Sequence, residues 1–172
     1  MDALECMLTR SSVKKYKSDP VPKELMDKII EAGLCAPSGL NKQSPIILAV
    51  TDKQVRDELS KINAGKDPFK RADPFYNAPC VLVVLADKNV FTYSYDGPLV
   101  MENMMLAAHA LGLGACWIHR AKETFEQPEW KDFLKKHGIE GEYEGIGNCV
   151  IGYPEGDVPA VKPRKENRVY YI

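Results

Sequence analysis

The stretch "CVLVVLA", residues 80–86, decides the fold class because it is the clearest strand in the chain. Every residue in it is apolar, three are valines, and Pro79 and Asp87 bound the run. A short apolar run that is rich in β-branched side chains and closed by turn residues is typical of a buried strand. The stretch therefore predicts that the core of the protein contains a β-sheet.

Patterns typical of strands and of helices alternate on both sides of this run. The predicted strands are 46–50, 80–86, 115–119 and 147–154, and the predicted helices are 2–10, 23–36, 52–63, 97–111 and 129–137. A chain of 172 residues without repeats, linkers or low-complexity segments favours a single domain, residues 1–172. The pattern predicts an α/β or α+β sandwich, and it leaves the order and direction of the strands open.

The charge balance argues against a nucleic-acid or membrane-surface partner. The chain carries 23 basic and 24 acidic residues, a net charge of −1, so no global field favours polyanions. The most apolar stretch, 98–118, is interrupted by Glu102, Asn103 and His109, which indicates a buried helix in place of a membrane span. Any anion must therefore be bound by a local cluster of cations.

The cysteines and the N-terminus predict a cytoplasmic location. The five cysteines are scattered without a CxxC pair, which is typical of reduced, buried thiols and gives no support to a metal site. The N-terminal segment is acidic and lacks the charged region that opens a secretory signal.

The stretch "LTRSSVKKY", residues 8–16, concentrates cations and hydroxyls at the end of the first predicted helix. Lysine or arginine there could simply complement the helix dipole. Arg10, Ser11, Ser12 and Lys14 together also match the donors that bind a phosphate. The tail "KPRKENR" carries Lys162 and Arg164 and, taken alone, is typical of a solvated terminus. The two clusters could instead converge on one dianion.

The remaining motifs do not by themselves assign a function. "GLGACW", residues 112–117, ends a predicted helix and leads into a strand, so it predicts a helix C-cap and not a dinucleotide fingerprint. His109 is interpreted as a core or interface residue, a catalytic role for His119 stays open, and His137 is expected to be exposed. No hydrolase or metal constellation is present, and no catalytic side chain is assigned.

Taken together, these motifs resemble the nitroreductase family of FMN-dependent oxidoreductases. Five motifs occur in the family's order, over nearly the whole chain. They are Arg10-x-Ser12-x-Lys14 with Tyr16; Ala36-Pro37-Ser38 followed by Asn41-x-Gln43; "AAHALGLGACWI"; Gly152-Tyr153-Pro154; and Lys162-x-Arg164. The chain departs from the family at Ser44 and Pro45, where Pro-Trp is common, and its length argues against an added helical lid.

The resemblance implies an α+β, nitroreductase-like three-layer sandwich, with a central, mostly antiparallel sheet flanked by helices, in an intertwined homodimer that binds FMN at the subunit interface. Arg10, Ser11, Ser12, Lys14, Lys162 and Arg164 would hold the FMN phosphate and ribityl chain. Pro37, Ser38, Asn41 and Gln43 would approach the same flavin from the partner subunit. The backbone around Trp117 and Ile118 would lie beside the isoalloxazine ring.

The implied function is an NAD(P)H-dependent flavin oxidoreductase that passes hydride through FMN to an electron-poor acceptor, such as a nitroaromatic or a quinone, with ping-pong kinetics. The loop 64–79, with Phe69, Phe75 and Tyr76, either caps the acceptor or packs as a surface loop. Two alternatives remain: a flavin-binding or redox-sensing protein without significant turnover, and a specialised relative of the dehalogenase or flavin-destructase type.

Overall fold

Every pairing between the four strands of the central sheet is antiparallel, and the strand order is β1-β2-β4-β3. The computed structural model describes residues 1–65 and 67–172. The strands are β1 (Pro45–Val50), β2 (Cys80–Asp87), β3 (Gly114–Ile118) and β4 (Tyr143–Gly152); the helices are α1 (Ala3–Thr9), α2 (Lys23–Leu34), α3 (Lys53–Gly65), α4 (Tyr93–Ala110), α5 (Ala121–Phe125) and α6 (Pro128–Lys136). The predicted α+β fold is confirmed.

Strand β2 is buried on both faces because helices cover both sides of the sheet. Alternate residues of a strand point to opposite faces. Val81, Val83 and Leu85 pack into one core cluster, and Cys80, Leu82 and Val84 pack into the other. Side chains of α3, α5 and α6 complete the first cluster, and side chains of α2 and α4 complete the second. The molecule therefore has three layers, as the resemblance implied.

The segment after α1 is fixed along the free edge of β3. Ser12 and Ala115 form a parallel bridge, and the amide of Val13 donates to the carbonyl of Ala115 at 3.1 Å. Tyr16 and Pro154 form an antiparallel bridge. Val13 and Tyr16 are both buried. This anchoring places the cations and hydroxyls of residues 10–14 on the edge of a rigid sheet.

The glycines after α4 end the helix and allow a close approach of two backbones. Gly112 has a φ of 78°, and the amide of Leu113 donates to the carbonyl of Ala108 at 2.8 Å, which is the Schellman ending of a helix. A Cβ on Gly114 would lie 2.8 Å from the side chain of Val13. The interpretation of this motif as a helix C-cap is confirmed.

Two predictions about local structure were wrong. The predicted elements omit α5, because its five residues are too few to show a helical period. Four of the cysteines are buried as expected, but Cys35 is exposed because it caps the C-terminus of α2. Within the described residues, no helix combines the length and apolar character needed to cross a membrane.

Candidate functional site

The two cationic segments predicted to converge do line one cavity. Its volume is about 350 Å³. The hydroxyl of Ser11 donates to the carbonyl of Pro159 at 2.5 Å and fastens the tail to the N-terminal segment. The lining residues are Arg10, Ser11, Ser12, Lys14, Pro159, Ala160, Val161, Lys162 and Arg164. We call this space the cationic cavity, because four of its lining residues are cations and, among the described residues, none is acidic.

Arg10 is the lining residue whose side chain most clearly lacks a partner. Its side chain is only 20% exposed, and its Nε faces a carboxylate oxygen of Glu102 at 3.8 Å. Its Nη1 atom is buried and has no hydrogen-bond partner in the part of the chain that the structure describes. A buried charged donor without an acceptor costs free energy. The arrangement therefore fits a bound anion, and the hydroxyl of Ser12 with the neighbouring cations suits a phosphate dianion.

Trp117 and Ile118 lie on β3, the strand that carries the N-terminal segment. Ile118 is buried in the core, and Trp117 is half-buried, with its indole so close to Gly147 that a Cβ there would lie 2.8 Å from it. The side-chain amide of Asn148 donates to the carbonyl of Ile118 at 3.3 Å. Neither Trp117 nor Ile118 lines the cationic cavity. Any contact from Ile118 to a ligand would have to come from its backbone.

The other predicted site residues form a compact loop between α2 and β1, residues 37–43. Leu40 and Asn41 have φ values of 51° and 54°, in the left-handed region. The amide of Gln43 donates to the hydroxyl of Ser38 at 2.9 Å, and its side chain donates to Asn41 at 3.1 Å. Pro37, Asn41 and Gln43 remain exposed on the surface.

One protomer does not bring this loop to the cationic cavity. The loop leads into β1, one edge strand, whereas Ser12 lies against β3, the other edge strand. Pro45, at the start of β1, pairs with Ala86 near the end of β2, while Gly114 pairs with Gly152 at the opposite end of the sheet. The two groups of predicted residues thus lie at opposite edges and opposite ends of the sheet.

Asp96 anchors the 37–43 loop, and sequence reasoning missed it. Its side chain is buried and accepts hydrogen bonds from the amide of Gly39 at 2.9 Å, the hydroxyl of Ser44 at 2.8 Å and the hydroxyl of Thr92 at 2.9 Å. Burial alone would raise the pKa of this carboxyl, but the three hydrogen bonds together hold the pKa below its ordinary value. No spacing in the sequence pointed to it, since the predicted helix began after Asp96.

Asp96→Asn is expected to destabilise the protein by about 2 kcal/mol at pH 7, because hydrogen bonds to a buried carboxylate are lost. The pKa of Asp96 is lower in the folded state than in the unfolded state. Its stabilising contribution is therefore present above the unfolded pKa and lost as the pH falls through the folded one. Urea unfolding should show a smaller cost of the substitution near pH 3 than at pH 7.

Asp27→Asn is the matched control, because this carboxylate is exposed and bonds only the side chain of Lys23 on its own helix. Its cost should stay within about 0.5 kcal/mol. A cost of Asp96→Asn that is independent of pH would contradict the role assigned to its charge.

The predicted loop 64–79 begins later than expected, because residues 64 and 65 belong to α3 and residue 66 lies outside the described residues. The segment 67–79 is held in place by Asp67, whose side chain is fully buried. Arg71 donates to both oxygens of this carboxylate, at 2.7 and 2.8 Å, and Arg120 approaches it at 3.4 Å. The hydrogen bonds from Arg71 hold the pKa of Asp67 well below its usual range. Phe75 is completely buried in the core, so the suggestion that it caps an acceptor is wrong, whereas Phe69 is exposed.

Two of the histidines take part in hydrogen bonds that link separate elements of the fold. His109 is half-buried, and its Nε2 lies 2.9 Å from the hydroxyl of Thr9, which links α4 to α1, as its interpretation as a core or interface residue expected. His119 is exposed, and its carbonyl accepts a hydrogen bond from the side chain of Asn63 at 2.7 Å. Within residues 1–65 and 67–172, no three His, Cys, Asp or Glu side chains are grouped to hold a metal ion.

The sequence model described as the nitroreductase family matches residues 7–153. The chain belongs to the nitroreductase family. The resemblance inferred from five short motifs is thereby confirmed. The matched region contains all the predicted site residues of the nitroreductase except Lys162 and Arg164.

Similar proteins agree with this assignment. A protein of Methanothermobacter thermautotrophicus, provisionally named NADH dehydrogenase/NAD(P)H nitroreductase, is 31% identical over 121 residues, or 68% of this chain and 60% of the relative's length. A protein of the same provisional name from Archaeoglobus fulgidus is 30% identical over 161 residues, or 91% of this chain and 87% of the relative. A nitroreductase from Bacteroides fragilis, solved with bound FMN, superposes with a TM-score of 0.88 at 26% identity and covers 100% of both chains.

Proposed function

We propose that this nitroreductase is an FMN-dependent oxidoreductase that oxidises NAD(P)H and reduces an electron-poor acceptor. The single observation that carries the proposal is the cationic cavity, where a buried guanidinium nitrogen of Arg10 has no partner. A phosphate monoester supplies the acceptors that this nitrogen and its neighbours lack. The solved relative with bound FMN and the relatives named NAD(P)H nitroreductase support the choice of cofactor and reductant.

The residues of the cationic cavity fit the phosphate of FMN. Arg10, Lys162 and Arg164 supply the charge, and Ser11 and Ser12 line the same cavity. Ser12 is fixed by its bridge to Ala115, so this part of the cavity is preorganised. When bound, FMN supplies the transfer of hydride from NAD(P)H to a nitroaromatic or quinone acceptor. The chain's own residues bind and orient the partners, and no side chain is required as a general acid or base.

A homodimer completes the site in this proposal. The 37–43 loop cannot reach the cationic cavity of its own protomer, so Pro37, Ser38, Asn41 and Gln43 serve the cavity of the partner subunit. Exposed apolar side chains on α1 and α4 offer a surface for this contact; they include Leu4, Leu8, Tyr95 and Leu99. Exposed groups of large apolar residues mark association surfaces. We infer that the protein works in the cytoplasm, where its buried thiols stay reduced.

The test begins with the purified yellow protein. Anaerobic NADH or NADPH should bleach the flavin absorption, and an electron-poor acceptor such as nitrofurazone or menadione should restore it. Because reductant and acceptor use one site in turn, double-reciprocal plots at several acceptor concentrations should be parallel. Intersecting lines would contradict the shared site.

A flavin that both nicotinamide cofactors leave oxidised would reject the reductase function. That result would favour the alternative of a flavin-binding or redox-sensing protein without turnover. For both possible functions, the control is to extract the chromophore and identify it as FMN.

A further inference from the structure

An exposed aromatic side chain stands beside a partly exposed cation on the loop between α3 and β2. The ring of Phe69 is 77% exposed, and the guanidinium carbon of Arg71 lies 5.1 Å from its centroid. The exposed ring of Phe69 offers apolar area that a ligand can cover by stacking. Stacking of a guanidinium on an aromatic face also fixes the orientation of the cation.

Arg71 is held rigidly, yet it keeps donors free. Two of its nitrogens bond the carboxylate of Asp67, at 2.7 and 2.8 Å, and a third donates to the hydroxyl of Tyr76. A guanidinium has five N–H donors, so among residues 1–65 and 67–172 these three side-chain bonds leave two for another acceptor. The side chain is 33% exposed, which lets a small anion reach it.

The same group connects to the cationic cavity. The guanidinium of Arg71 lies 5.4 Å from the ring centroid of Tyr76, and the ammonium of Lys14 lies 6.0 Å from the same centroid. Lys14 lines the cationic cavity. The chain of contacts from Phe69 through Arg71 and Tyr76 to Lys14 therefore runs from the surface to the proposed cofactor site.

The charges around this chain of contacts do not cancel. Asp67 is shared by Arg71 and Arg120, and Lys14 has no ion-pair contact among the described residues. One carboxylate thus faces two cations, with Lys14 beyond them next to the ring of Tyr76, which leaves a local excess of positive charge near an exposed aromatic ring. A planar aromatic ligand that carries an anionic group satisfies both features, because its ring can stack and its anion can accept from the cation.

We propose that Phe69 and Arg71 form an acceptor platform that selects aromatic acceptors bearing a carboxylate or a similar anionic group. The inference rests on the proposed function, which it deepens by naming the substrate class. Phe69 supplies the stacking surface, and Arg71 supplies the charge-assisted hydrogen bond. Asp67 and Tyr76 act as positioning residues that hold the guanidinium on the ring.

The test compares 4-nitrobenzoate with 4-nitrobenzamide, which differ in charge and hardly in shape. The measured quantity is the ratio of kcat/KM for the benzoate to kcat/KM for the benzamide, compared between wild type and variant. The two acceptors differ in reduction potential, but this difference is the same for both enzymes and cancels in the comparison. Arg71→Gln should lower the benzoate-to-benzamide ratio of kcat/KM about tenfold, because only the benzoate loses a charge-assisted hydrogen bond. Arg71→Lys should keep part of the preference, and Phe69→Ala should lower kcat/KM for both acceptors.

Lys70→Gln is the matched control, because Lys70 is an exposed cation next to Arg71 in the chain and its loss removes the same charge from this segment. It should leave the ratio unchanged. A binding arm uses benzoate and benzamide, which cannot be reduced, and follows their dissociation constants by titration calorimetry on the FMN-loaded protein. Wild type should bind benzoate more tightly than benzamide, and Arg71→Gln should abolish the difference.

The outcomes separate this inference from the proposed function. Benzoate selectivity that depends on Arg71, in a protein that NAD(P)H does not reduce, would reject the function and keep the platform. If Arg71→Gln leaves the ratio of the kcat/KM values for the two acceptors unchanged, the platform is rejected. This holds whether the variant has no other effect, releases FMN, or changes the preference between NADPH and NADH.

Discussion

Arg10→Ala is expected to weaken FMN binding by about a hundredfold, because it removes charge-assisted hydrogen bonds to the phosphate from a largely buried donor. The buried Nη1 of Arg10 has no hydrogen-bond partner among the described residues, so a phosphate oxygen would supply the acceptor that this nitrogen needs. The measurement is the dissociation constant of FMN after reversible removal of the flavin, followed by quenching of flavin fluorescence.

Riboflavin provides the control ligand, because it carries the same ring and ribityl chain without the phosphate. Its affinity should fall by less than about threefold in Arg10→Ala, since uncharged contacts are unaffected. Arg168→Ala is the control variant, because this tail residue is exposed and does not line the cationic cavity. Equal losses for FMN and riboflavin would show that Arg10 supports the fold of the site and does not bind the phosphate.

The core of the fold was predictable because its signals are local. In β2 the continuous apolar run, and in α2 the helical spacing of the apolar residues, indicate directly which side chains are buried. Both elements lie close to their predicted positions. The start of the predicted helix 52–63 is also a local signal, since Asp52 caps α3 by accepting from the amide of Val55 at 2.9 Å. Strand order was not predictable, because it depends on contacts between residues far apart in the chain.

The candidate site was likewise only partly predictable from the sequence. The residue types of the N-terminal segment and tail suggested an anion site, and only the structure shows that Ser11 and Pro159 join them. Asp96 and Asp67 escaped prediction because a carboxylate that anchors a loop looks like any other charged residue in a sequence. Their role comes from burial and from hydrogen-bond partners, which tertiary structure alone supplies.

Leu99→Glu is expected to convert a wild-type dimer into a monomer and to remove nearly all bound FMN. Leu99 is 43% exposed on α4, and Tyr95, one turn earlier on the same face, is 74% exposed. These residues form an apolar surface that a partner would cover, and an unpaired carboxylate buried there would cost several kcal/mol, roughly. The measurements are molar mass by light scattering and flavin absorbance per protomer.

Loss of FMN in this variant would follow from geometry, because Leu99 does not line the cationic cavity. The monomer would keep Arg10 and the tail but lose the partner's 37–43 loop, so it would hold only half of the site. Gln54→Glu, on the exposed surface of α3, adds the same charge away from this surface and should leave both mass and FMN content unchanged. A Leu99→Glu monomer that retains full FMN would show that one chain forms the whole site, and a monomeric wild type would leave the 37–43 loop without a role in binding.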